Sequence, residues 1–101
     1  MQHEYISNYG YDFQCKLIAS LLVSSNFIAQ SYDIIKPDYF ESKGFEWVIS
    51  TILEYYKQYH SSPNLEVFKV KLSDVKLKDD TLKSEIKTIL RDSAKKADAE
   101  D

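Results

Sequence analysis

The stretch SKGFEWVISTILEYYKQY, residues 42–59, decides the fold. Phe45, Val48, Ile49, Ile52, Leu53 and Tyr56 recur at i, i+3, i+4, i+7, i+8 and i+11, the spacing that puts them on one side of an α-helix. Downstream, Ser61, Ser62 and Pro63 form a turn, and Asn64 is placed to cap a helix that presents Leu65, Phe68, Leu72 and Val75. Upstream, Pro37 disfavours helical angles at the residue before it, so Lys36-Pro37-Asp38 reads as a turn leading to Tyr39 and Phe40. Earlier still, Phe13, Leu17, Ile18, Leu21 and Leu22 mark a helix running from near Asp12 to near Ser24. Asn26 offers a cap for a short second helix carrying Phe27, Ile28 and Tyr32.

The remaining element is different in character. A fifth helix begins near Asp79 or Asp80, acids suited to a positive helix end, and carries a narrow stripe of Leu82, Ile86, Ile89 and Leu90 flanked by Lys83, Lys87 and Arg91. Residues 61–101 are rich in charges of both signs, and beyond Ala94 no apolar residue larger than alanine occurs, so the tail is expected to fray or to continue into a further element. Thirteen of the fourteen aromatics lie at or before Tyr59, which puts the expected core in the first part of the chain. The expected organisation is a loosely attached arm at 1–11, a globular bundle at 12–78, and an amphipathic helix with a charged tail at 79–101.

Composition narrows the functional classes. At 101 residues and 11.8 kDa the chain is one domain's worth, and its 44% apolar content is enough for a core. Two glycines and two prolines leave little material for tight hairpins, which favours an all-α fold, a small orthogonal bundle of about five helices. The net charge of −3 gives no general attraction for phosphate backbones. A single cysteine excludes an internal disulfide, and no apolar run approaches the length of a membrane helix, so a cytoplasmic protein is expected.

A search for chemistry yields no catalytic constellation. Gly10 and Gly44 are isolated, and neither belongs to a phosphate-binding loop. His3 and His60 have no ligand-type neighbour at helical spacing, so no metal site is expected. Cys15 sits one turn into an amphipathic helix, where a small buried hydrophobe is the better reading than a nucleophile. Lys69, Lys71, Lys76 and Lys78 form the one basic cluster, but Glu66, Asp74, Asp79 and Asp80 interleave with it. That pattern favours a solvated face over a strip for single-stranded nucleic acid. Tyr55 and Tyr59 flank the apolar face of the central helix and Trp47 lies nearly opposite its centre; such aromatics serve equally as core margin or as partner anchors.

The stretch from Leu17 to Leu72 resembles the N-terminal domain of DnaB-type hexameric replicative helicases, most closely those of T4-like phages. The resemblance is carried by Leu-Ile-Ala-Ser-Leu-Leu at 17–22, Ile-Lys-Pro-Asp-Tyr-Phe-Glu at 35–41, Val48-Ile49, Ile52, Tyr59, Pro63 and Leu72. It departs from the family pattern at Phe45, where many members have His or Asn, and at Cys15, near which a Glu often opens the first helix.

The resemblance implies a noncatalytic collar that pairs with other helicase subunits and docks primase or a helicase loader in the cytoplasm of a bacterial host. Any direct DNA binding by the domain would be weak or absent. No cofactor is expected in this chain, since ATP and Mg would belong to a motor domain beyond Asp101. Leu82, Ile86, Ile89 and Leu90 are the expected pairing surface, because a narrow stripe on a charged helix has the form of a helix-to-helix seam, and Ile86→Glu is then expected to weaken self-association without unfolding the bundle. Tyr55 and Tyr59 are the second candidate contact. A different class of protein also fits the residues: a free-standing adaptor or inhibitor that acts through its aromatic surface.

Overall fold

The computed structural model of the chain describes residues 10–40, 42–74 and 80–99. Its regular structure is α1 (Tyr11–Val23), α2 (Ser25–Ser31), a 3-10 turn (Pro37–Tyr39), α3 (Lys43–Tyr59), α4 (Leu65–Asp74) and α5 (Asp80–Ala99). The fold is an all-α bundle, with no strand among the described residues.

The central helix starts and stops where its chemistry directs. Ser42 is extended, and its Oγ accepts from the N–H groups of Gly44 and Phe45 at 3.1 and 3.4 Å, satisfying donors that have no partner inside the helix. At the other end His60 takes left-handed angles with φ 57°, and its N–H donates to the Tyr56 carbonyl at 2.7 Å. Between these caps Phe45, Val48, Ile49 and Ile52 are buried, together with Ile18 and Leu21 of α1, Ile28 of α2 and Phe40 after the 3-10 turn. Pro37 opens that turn, where its fixed φ fits and its missing N–H leaves no bond unmade.

The second helix begins earlier than Asn26. Ser24 ends α1, its N–H donating to the Ser20 carbonyl at 2.9 Å, and also caps α2, its Oγ accepting from the Phe27 N–H at 3.1 Å. A single extended residue thus turns the chain between two helices, and the earlier cap prevails because it serves both.

The largest departure from expectation is α5. Ile86 and Ile89 are 0% and 1% exposed and belong to the same core as α1 and α3, with Leu82 and Leu90 packed partly against it. Burial of each isoleucine contributes about 2 kcal/mol. The stripe read as a seam for another subunit is therefore covered within the chain, and α5 shares one core with α1 and α3. The helix also continues through Ala99 instead of fraying after Ala94, because Ser93, Ala94, Lys96 and Ala97 lie against the bundle, where they are buried or half-buried. Tyr11, assigned to an arm, is the first residue of α1 and Gly10 is its N-cap; residues 1–9 of that expected arm lie outside the described residues.

A cross-element cap holds α5 to α3. Glu85 Oε1 accepts from the Gly44 N–H at 2.8 Å, placing a carboxylate at the positive end of α3. A Cβ on residue 44 would collide with the Glu85 side chain, so glycine is what permits this approach.

Candidate functional site

Beside its core face, α3 carries a second stripe of Trp47, Thr51 and Tyr55, four residues apart. Thr51 Oγ1 donates to the Trp47 carbonyl at 2.8 Å and so fills its own hydrogen-bonding need. Trp47 packs on Phe68 of α4 with ring centroids 6.4 Å apart. Further along, Tyr55 and Tyr59 stack on each other at 4.5 Å with planes tilted by 45°.

Across from this stripe, α4 divides its apolar residues between two directions. Phe68 and Leu72 enter the core, while Val67 and Val70 face a groove of about 500 Å³ whose other wall is Thr51, Tyr55 and Tyr59. Glu54, Gln58, Asn64, Glu66 and Lys71 supply its polar lining. Tyr59 and Val70 of this groove, and Leu65 at the start of α4, are 56%, 57% and 47% exposed. Asn64 caps α4, its Oδ1 accepting from the Val67 N–H at 3.1 Å. An aromatic pair beside valines, rimmed by polar groups, has the composition of a protein contact.

Of the expected interface residues, Tyr55 and Tyr59 are brought together at this groove; Leu82, Ile86, Ile89 and Leu90 are on the core side of α5. Thr51, Val67 and Val70 complete the groove and were not singled out by sequence. The signal that would have found them is the i, i+4, i+8 spacing of Trp47, Thr51 and Tyr55, a second stripe on a helix that already had one. Of the basic cluster, Lys69 pairs with Glu66 at 3.6 Å on the open surface and Lys71 lines the groove. Lys76, Lys78 and Asp79 lie outside the described residues, as do His3, Glu41 and Val75.

A second polar cluster joins α1 to α5. The Tyr11 hydroxyl donates to Asp92 Oδ2 at 2.6 Å while its ring meets Phe45 edge-on at 5.5 Å, and Lys96 approaches Asp12 at 3.8 Å. Partial burial first, and then the hydrogen bond to a carboxylate, hold the Tyr11 phenol well above its ordinary range. One turn on, burial pushes the Cys15 thiol up, against a smaller opposite effect of the Ser93 and Tyr11 hydroxyls. A thiol kept protonated and fully buried is no nucleophile.

His60 lies at the end of α3 against Tyr56, with ring centroids 6.0 Å apart. Among the described residues no group of three or more His, Cys, Asp or Glu side chains is placed to hold a metal ion, and no helix is long and apolar enough to cross a membrane. Comparison with known protein families, with curated proteins and with solved structures finds no match.

Proposed function

We propose that this chain is a noncatalytic assembly and docking domain, the N-terminal collar of a phage-type replicative DNA helicase of the DnaB class. Its partners are other helicase subunits and a primase or helicase loader in the host cytoplasm. ATP and Mg belong to the motor that such a collar accompanies. The observation that carries the reading is the agreement between resemblance and structural role: Ile18, Leu21, Ile35, Phe40, Val48, Ile49, Ile52 and Leu72, all within the resembling stretch, are core residues. Pro37 opens the 3-10 turn and Pro63 precedes α4.

The docking surface in this reading is the Tyr55–Tyr59 groove. The burial of Ile86 and Ile89 leaves the α5 stripe unavailable, while the groove keeps its aromatic and valine side chains open to a partner.

Sedimentation velocity over a wide range of concentration tests the reading. A collar domain self-associates as concentration rises, and Tyr59→Ser weakens that association at unchanged helical content. A protein that stays monomeric throughout, from a reading frame that stops at codon 101, removes the collar and favours the free-standing adaptor. A frame that continues into a strand followed by Gly-x-x-x-x-Gly-Lys-Ser/Thr supplies the motor the collar requires.

A further inference from the structure

We propose that α4 is a hinged cover on α3, opening as a unit while α1, α3 and α5 stay folded and thereby uncovering the Trp47, Thr51 and Tyr55 stripe. The helices are anchored very unequally. Ile86, Ile89 and Ser93 seat α5 in the core, and Glu85 and Asp92 add hydrogen bonds to α3 and α1. By contrast, Phe68 and Leu72 are the buried side chains of α4. Among the described residues, the side-chain hydrogen bond and ion pair of α4 run within its own first turns, Asn64 to Val67 and Glu66 to Lys69. Bonds of that kind travel with the helix and are kept when it opens.

The seat is also one-sided. Leu65 and Val70 are about half exposed, so part of the apolar surface of α4 does not hold it to the bundle. Elements with few buried apolar contacts open at lower free energy than the rest of a domain.

The hinge is defined by the link between α3 and α4. His60 is left-handed, Pro63 has a restricted φ, and Ser62 Oγ donates to the Leu21 carbonyl at 2.6 Å, tying the link to α1. The link is fixed to the core, so at this end the opening of α4 begins at Asn64. Opening separates Phe68 from the indole of Trp47, the one tryptophan in the chain. Opening also takes Val67 and Val70, the α4 wall of the groove, away from Thr51, Tyr55 and Tyr59.

Native-state hydrogen exchange on the full chain, resolved by mass spectrometry in low denaturant, tests the cover. The slowest amides of α4 are expected to exchange about tenfold or more faster than the slowest of α3 and α5, with a shallower dependence on denaturant. Equal rates and equal dependence in all three helices would overturn the proposal, since α4 would then open only when everything unfolds.

A second measurement reads the same event from the other side. Lys69→Pro breaks α4 at an exposed position. The expected product keeps a cooperative thermal transition and protected α1, α3 and α5 amides, with Trp47 several-fold more accessible to acrylamide. Loss of the cooperative transition in that variant also overturns it.

Discussion

Tyr11, Cys15 and Ser93 meet where α1 packs on α5. The Tyr11 phenol and the Cys15 thiol both have raised pKa values in the folded chain, so the unfolded chain gives up these protons at lower pH than the folded one. Their stabilising effect is complete at neutral pH and is lost as pH rises above about 9 to 10, where the unfolded groups ionise. The urea midpoint is therefore expected to fall between pH 9 and pH 11, and to fall less steeply in the Tyr11→Phe, Cys15→Ala double variant. Identical slopes for the two proteins would show that neither group is coupled to folding. Ser93 Oγ is buried without a nitrogen or oxygen partner, so Ser93→Ala should raise stability by about 1 kcal/mol in the same urea titration.

Among the elements, α3 was the most legible because its information is local. Its periodicity names the buried face, Ser42 names its start, and neither depends on another part of the chain. Asn64 was legible as the cap of α4 for the same reason. The end of α2 nearest α1 was not, since Ser24 and Asn26 are both good caps two residues apart, and the service Ser24 renders to α1 decides between them. The role of α5 was least legible. Periodicity shows that Leu82, Ile86, Ile89 and Leu90 share a face, but what covers that face depends on the unfilled sides of α1 and α3, which no local pattern records. The groove shares this difficulty: Tyr55 and Tyr59 were visible on α3, whereas Val67 and Val70 acquire their place only from the angle at which α4 leaves Asn64.

The joint between α3 and α5 can be broken from either side, at Gly44 or at Glu85. Alanine at residue 44 gains about 0.5–1 kcal/mol of backbone preference over glycine in a helix. It also displaces the Glu85 carboxylate and forfeits the bond to the Gly44 N–H. Gly44→Ala should thus stabilise the protein in a Glu85→Ala background, and should be less favourable by about 1 kcal/mol in the native background. A double-mutant cycle with no coupling would mean that the carboxylate contributes nothing to holding α5. At the far end of α3, His60→Gly relieves the left-handed strain and should raise stability by about 1 kcal/mol, read as a higher Tm.

For the whole molecule, the burial of α5 separates two properties that a sequence reading had joined, folding and association. Ile86 is fully enclosed, so a glutamate there places an unpaired carboxylate among apolar side chains. The expected loss is about 4 kcal/mol or more, a large part of the 5–15 kcal/mol that holds a domain of this size together. Ile86→Glu should consequently lower helical content or thermal stability steeply, and any loss of self-association in it would be a consequence of unfolding. Val70→Glu places the same charge on the groove, where the side chain is more than half exposed, and should leave the Tm nearly unchanged. If the groove is the docking surface, this second variant alone loses association while keeping its fold, as seen by sedimentation and circular dichroism on the same samples. Association that survives Val70→Glu would move the docking surface away from α3 and α4, whereas a folded Ile86→Glu protein would contradict the core position of α5 itself.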